Sequence, residues 1–250
     1  MLEVNDLSVS IDGNYIVDRL KFSVPRGKIT SIIGESGSGK SLLVAALLGI
    51  LSTGGHATGE AIFNGKNLIA VSKKELALIR KSHIFTIFQD TENSFNPSIK
   101  MGRQLYEFSG RRTGDSFREF RVRMAVTLKE LELANEIMGQ YPFELSGGML
   151  QRCMIACALY VEPDLLIADE PTSALDMVLQ REFIGLLKRL NKERGTTILL
   201  ITHDLDVVAE AASEIVVILH GKVVETGDVA TVFAQPKHPY TKRLLDSRFI

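Results

Sequence analysis

The octet Gly34-Glu35-Ser36-Gly37-Ser38-Gly39-Lys40-Ser41 ends in an ammonium beside a hydroxyl, after glycines at three of its first six positions. It fits the pattern Gly-x-x-x-x-Gly-Lys-Ser/Thr. Glycines at this spacing let backbone N–H groups turn inward around phosphate oxygens, and a following helix adds the partial positive charge of its N-terminus. Lys40 is then placed to hold β- and γ-phosphates, and Ser41 to ligate Mg²⁺. Later in the chain, Asp169-Glu170 puts two carboxylates at the end of the aliphatic run Leu165-Leu166-Ile167-Ala168. Asp169 would hold Mg²⁺ opposite Ser41, directly or through water, and Glu170 can orient and deprotonate an attacking water. A plain glycine-rich turn before a core helix would need neither Lys40 nor Ser41. A nucleotide is the expected ligand.

Such groups work only if strands and helices aim them. Ile29-Thr30-Ser31-Ile32-Ile33 is apolar and β-branched and predicts a buried strand feeding the loop, with a helix leaving it from Lys40 through Leu51. Further strands are predicted at Ile84 to Phe88, stopping at Gln89, at Leu165 to Ala168, at Ile198 to Thr202, stopping at His203, and at Ile215 to Leu219. Ser72-Lys73-Lys74-Glu75 is a capping box for a helix through about Lys81. Ser116 to Leu133 carries Phe117, Phe120, Met124, Leu128 and Leu131 at helical spacing, the pattern of a core face. Arg181 to Arg194 is amphipathic through Phe183, Leu187 and Leu190, and Gly195 ends it. Strands alternating with helices imply an α/β fold with a mainly parallel sheet. Upstream, Leu2, Val4, Leu7, Val9 and Ile11 alternate, turn at Asp12-Gly13, and resume through Ile16-Val17, Leu20, Phe22 and Val24 to Pro25-Arg26-Gly27. This pattern predicts antiparallel strands laid beside the nucleotide strand, with Ala61 to Gly65 as another. His220-Gly221 opens a small hairpin carrying Val223 and Val224.

At 250 residues the chain can bury a large core, and its net charge of −1 makes no case for nucleic acid. The charge is uneven. Residues 73–129 hold twelve Lys/Arg against six Asp/Glu, a balance of +6, leaving about −7 elsewhere. Two readings stand: a solvated helical surface, or a face meeting a partner near an anionic leaflet. Cys153 and Cys157, four apart on one predicted helix, suit neither a disulfide nor a metal site. Nothing asks for an oxidising compartment. The N-terminus lacks the basic and apolar regions of a signal peptide, and no apolar run reaches about 18 residues, so a membrane role must work through a partner.

Leu145-Ser146-Gly147-Gly148-Met149-Leu150-Gln151-Arg152 narrows the field. Ser146 can cap a helix while Gly147 and Gly148 expose backbone donors, so that helix end faces an anion. With the phosphate loop upstream and Asp169 downstream, the chain resembles the ATP-binding cassette (ABC) ATPases that drive membrane transporters, over essentially its whole length. The signature departs from the family's Leu-Ser-Gly-Gly-Gln at Met149. The resemblance implies a P-loop NTPase core of the ABC type, an N-terminal antiparallel β subdomain and an inserted helical subdomain. It divides one domain into a nucleotide-binding core (1–89 and 163–230), a helical signature subdomain (90–162) and a C-terminal tail (231–250). It makes Gln89 the residue that senses Mg²⁺ and water and couples to the membrane subunit. His203 becomes the switch contacting the γ-phosphate, and Ser173-Ala174-Leu175-Asp176 a loop crossing a dimer interface. Ser146, Gly147 and Gly148 would complete the ATP site of the partner subunit. Where the family stacks adenine on an aromatic residue, this chain has Ile11-Asp12-Gly13, so either Tyr15 reaches the base or an aliphatic contact with Ile11 replaces stacking.

The implied cofactors are ATP and Mg²⁺. The implied partners are a second cassette (a homologue or another copy), two transmembrane permease subunits and, indirectly, an extracytoplasmic solute-binding protein, at the cytoplasmic face of the cell membrane. Asn93-Ser94-Phe95-Asn96-Pro97 and Pro236-Lys237-His238-Pro239-Tyr240-Thr241-Lys242-Arg243-Leu244-Leu245 resemble the importers for peptides and nickel. The short, cysteine-free end after Leu245, and Tyr141-Pro142-Phe143-Glu144 leading straight into the signature, lean the expectation toward nickel or a related metal–chelate. A di- or oligopeptide is the alternative cargo. A non-transport cassette acting on nucleic acid or ribosome stands behind both, without the coiled-coil insertion or second cassette usual there.

Overall fold

The computed structural model describes residues 1–246 except 90, 92 and 174. Its elements run β1 (Leu2–Ile11), β2 (Asn14–Val24), β3 (Ile29–Ile33), α1 (Lys40–Leu48), β4 (Gly55–Phe63), β5 (Lys66–Asn67), α2 (Lys73–His83) and β6 (Ile84–Ile87). A helical stretch follows: α3 (Met101–Leu105), a π-turn (Tyr106–Gly110), α4 (Arg111–Thr113), α5 (Phe117–Glu130), two 3₁₀ turns and α6 (Gly147–Val161). The chain then returns through β7 (Leu165–Asp169), α7 (Met177–Arg194), β8 (Thr197–Ile201), α8 (Leu205–Ala211), β9 (Glu214–Leu219), β10 (Lys222–Asp228), α9 (Val229–Ala234) and α10 (Pro239–Asp246).

Two sheets result among the described residues. The larger has the order β10-β9-β3-β8-β7-β6, parallel except for β10. The smaller is antiparallel, in the order β2-β1-β4-β5. The N-terminal strands therefore do not lie beside β3, as their alternation predicts. Both hydrogen-bonding edges of β3 are taken, by β8 and β9, so β1, β2 and β4 pair among themselves. Backbone contact between the sheets is made where Asp18 N–H donates to Gly221 C=O (2.8 Å).

Period-two burial explains the layering. In β7, Leu165 and Ile167 join the apolar cluster shared with α1 and the small sheet, while Leu166 and Ala168 join the cluster under α5, α6 and α7. β8 divides the same way, Leu199 and Ile201 against Ile198 and Leu200. A strand buried on both faces reads as a continuous apolar run, which is the pattern of these segments. Each fully buried Leu or Ile contributes about 1.5–3 kcal/mol, so these strand ends are stiff mounts. The free thiols Cys153 and Cys157 are buried in the second cluster, and burial pushes Cys153 up to about 12.

Several local expectations shift. Phe117 is 45% exposed rather than core; it sits on the first turn of α5, edge-on to Tyr106 and stacked on Phe120, while Phe120, Met124, Leu128 and Leu131 are buried. α1 stops at Leu48 because Gly49, at φ 62, returns its N–H to Ala45 and Ala46. β4 begins at Gly55, its polar first half held by pairing with β1. α7 begins at Met177, four residues before the apolar periodicity, because Asp176 accepts the N–H groups of Val178 and Leu179. Not all of the basic segment is surface. Arg112 donates to the C=O groups of Arg80, Lys81 and Ile84 and lies over Phe85, clamping α4 to the end of α2. Ala174 of the interface loop and residues 247–250 of the tail lie outside the described residues.

Candidate active site

The loop from Gly34 to Gly39 leaves β3 at its C-terminal end and opens α1, the place where open α/β sheets bind ligands. Gly34 is required there by contact: a Cβ would lie 2.2 Å from the Ile218 carbonyl oxygen. Lys40, 7% exposed, curls back so that its Nζ donates to Gly34 O (2.7 Å) and Glu35 O (2.9 Å). Burial lowers its pKa, opposed by the charges of Glu170 and Asp169. An ammonium held under its own loop by two carbonyls is pre-aimed at anions the loop would enclose.

Asp169 ends β7, two strands from β3, yet its Oδ1 lies 3.5 Å from Ser41 Oγ, which donates to it. Burial raises the Asp169 pKa, and the Ser41 hydroxyl and Lys40 pull it back. Glu170 follows in left-handed backbone, φ +49, with its N–H on Ile201 O (2.9 Å). A non-glycine residue in that region is strained, a mark common at functional positions. The turn aims Glu170 Oε2 at His203 Nδ1, 2.6 Å away. His203 stands two residues beyond β8, the strand next to β7.

Lys40, Ser41, Glu170 and His203 share a cleft of about 550 Å³, lined also by Ile16, Ser36, Gly37, Gly39, Leu42 and Gln89, with Asp169 behind Ser41. The structure thus brings Gln89, Glu170 and His203 to the phosphate loop, as the sequence suggested. Tyr15 is not in the cleft. It is 69% exposed, while its neighbour Ile16, itself 40% exposed, lines the cleft, and Ile11 is not among the lining residues. A larger groove of about 930 Å³, beside Lys100, Arg103, Phe117 and Tyr141, lies apart from these residues.

Ser146, Gly147 and Gly148 do not line the cleft. Ser146 caps α6, its Oγ accepting the Met149 N–H (3.3 Å), and a Cβ on Gly148 would come within 2.9 Å of Leu179 on α7. Ser173 Oγ donates to Glu170 O (3.1 Å), bracing the turn after the carboxylate, and Asp176 caps α7. Two supports escaped the sequence reading. Buried Gln151 of α6 donates to Pro171 O (2.9 Å), tying the signature helix to the Glu170 turn. Gln180 of α7 donates to Asp204 (2.8 Å), steadying the loop after His203. A polar residue on an otherwise apolar helix face was the only signal for Gln151.

The residues fit a bound nucleotide with Mg²⁺. Ser38 Oγ is buried with no partner among the described residues, a hydroxyl left for a ligand inside the loop. Asp169 and Ser41 place two oxygen donors side by side, and the burial that disfavours the Asp169 charge would be relieved by a cation.

Residues 17–173 match the family described as ABC transporter, and the chain belongs to that family as an ATP-hydrolysing cassette. It is 44% identical to the oligopeptide transport ATP-binding protein OppD of Salmonella typhimurium, over 99% of this chain and 76% of the relative. It is 41% identical to the dipeptide transport ATP-binding protein DppD of Escherichia coli, over 98% of this chain and 77% of the relative. Among solved structures it resembles cbiO1 from Clostridium perfringens, part of the transporter complex cbiONQ, with a TM-score of 0.81, 30% identity and coverage of 100% and 98% of the two chains. It also resembles MJ0796 bound to ADP and Pi in a dimeric post-hydrolysis state, with a TM-score of 0.78, 28% identity and coverage of 92% and 99%. The lean toward nickel gains no support from these relatives, whose transport names are oligopeptide and dipeptide. That lean comes from the short chain end and from Tyr141-Pro142-Phe143-Glu144 leading straight into the signature, features of resemblance and not of cargo chemistry. No helix among the described residues is long and apolar enough to cross a membrane.

Proposed function

We propose that the chain energises an importer of di- or oligopeptides, working as one of two paired cassettes on the cytoplasmic face of the membrane. The observation that carries the cargo class is the 44% identity to an oligopeptide transport ATP-binding protein over 99% of the chain. The pairing is supported by where Ser146 to Gly148 lie: outside their own cleft, at the capped start of α6. They would face the ATP of the partner cassette, and Ser173 and Asp176 lie on the loop between. The partner is a homologue or a second copy, and two permease subunits would dock near Gln89.

In the proposed chemistry, water attacks the γ-phosphate in line. Glu170 is the base: with Oε2 engaged by His203 Nδ1, its other oxygen is left to take the proton from water. Lys40 and the loop N–H groups neutralise the growing charge on the phosphate oxygens, and His203 and Gln89 hold water and γ-phosphate from the far side of the cleft. Mg²⁺, held by Ser41, Asp169 and Gln89, would supply Lewis-acid stabilisation of the same charge.

Uptake tests the cargo. Cells lacking this chain should lose accumulation of a radiolabelled tripeptide and keep that of radiolabelled nickel, with the chain's return restoring the former. Loss of nickel uptake alone would overturn the peptide reading.

A further inference from the structure

The resemblance of Pro236 to Leu245 to importer tails says nothing of what that segment does here. In the structure it reaches the phosphate loop. Glu35 N–H donates to Tyr240 Oη at 2.9 Å. The same peptide unit, Gly34–Glu35, offers its C=O to Lys40 Nζ at 2.7 Å. A peptide is a rigid plane with its N–H and C=O pointing opposite ways, so rotation that frees one displaces the other. We infer that Tyr240 is a positioning residue for the phosphate-binding loop: by accepting the Glu35 N–H it orients the peptide on which the Lys40 ammonium rests. The inference rests on the reading of Lys40 as the phosphate-holding residue.

The phenol comes from a firm mount. Its ring is 2% exposed, packed with Ile33, Val208, Val217 and Val232. α10 is pinned at its start, where Glu225 of β10 accepts the N–H groups of Lys237 (2.8 Å) and His238 (3.0 Å), and His238 Nδ1 accepts the Tyr240 N–H (3.2 Å). The Ile218 carbonyl blocks the loop on another side, against Gly34. An apolar cluster needs only the ring. The hydroxyl is the added polar group, and a buried phenol is retained where it meets a partner.

The test uses the full chain and compares affinities for ATP and AMP. Lys40 acts at the β- and γ-phosphates, which AMP lacks, whereas loosening the loop as a whole would weaken both nucleotides alike. Tyr240→Phe keeps the ring, and the ratio of ATP to AMP affinity should fall about 3–10-fold. An unchanged ratio overturns the inference. Lys40→Ala is the control: if it collapses the ratio and Tyr240→Phe does not, the inference alone fails. If Lys40→Ala keeps the ratio, the reading of Lys40 fails and takes the inference with it. Should Tyr240→Phe not fold, amide exchange on the unaltered chain decides, because the Glu35 N–H must be protected and free exchange there overturns the proposal.

Discussion

Glu170 and His203 meet at 2.6 Å across 33 residues of sequence, each just beyond the end of its own neighbouring parallel strand. The pair holds one carboxylate oxygen and sets the tautomer, since an ionised Glu170 needs a proton on His203 Nδ1. Two short loops on stiff strands therefore define where a water proton can go.

Glu170→Gln should lower the rate of phosphate release at least 100-fold while ATP still binds. The amide is nearly isosteric and preserves the shape of the turn, but it cannot accept the proton. Single-turnover phosphate release alongside nucleotide titration checks this, and wild-type turnover would mean that another group is the base.

Ile16 faces the cleft while the neighbouring Tyr15 points to solvent. Ile16→Tyr should tighten ATP binding about 3–10-fold by supplying a ring for the base, stacking being worth roughly 1 kcal/mol. Tyr15→Ala should leave affinity within about twofold. Calorimetric titration of both variants reads the difference, and a large loss in the second would return the base contact to Tyr15.

Two glycines of the loop should respond differently. Gly34→Ala drives a methyl to 2.2 Å from backbone, which must move, and should remove measurable ATP binding and about 2 kcal/mol or more of stability. Gly37, at φ +81, meets nothing within 4 Å, so Gly37→Ala carries only backbone strain of about 1–2 kcal/mol. Denaturant melts of the two variants give the order directly.

Asp169 supplies the pH dependence. Burial raises its pKa above the ordinary 3.8, so the native carboxyl holds its proton more tightly than the unfolded chain does. That stabilising contribution is full below 3.8 and is lost as pH rises through the raised value, because the buried carboxyl gives up its proton in a poorly solvated place. Asp169→Asn should therefore raise the melting temperature of the nucleotide-free chain at pH 7, the gain shrinking as pH falls toward 3.8, and should erase the extra stabilisation by ATP with Mg²⁺. Melting curves at several pH values, with and without Mg²⁺, check both signs.

Much of this site could be read from residue order, because strand ends in a parallel sheet all deliver to one crevice. Lys40, Ser41, Asp169, Glu170 and His203 follow apolar runs, and such runs declare themselves. The position of the N-terminal strands was not legible: alternation shows that β1 and β2 pair, yet not that β8 and β9 already occupy both edges of β3. Tyr15 against Ile16 turned on the face of a strand, which a one-residue difference in register inverts. Gln151 and Tyr240 were invisible as supports because their contacts are long-range and made to backbone, whose chemistry no side-chain pattern reports.

The order β10-β9-β3-β8-β7-β6 also has a consequence for the growing chain. β3 ends at Ile33, but the strands that hydrogen-bond to it begin at Thr197 and Glu214. At ~5–20 residues per second, a ribosome needs roughly 8–33 s to reach the first of these and roughly 9–36 s to reach the second. Throughout that interval the phosphate loop exists as sequence without a sheet to mount it. Nucleotide can assist only the last stage of folding, and a product truncated before β8 carries the whole motif without either neighbour of β3.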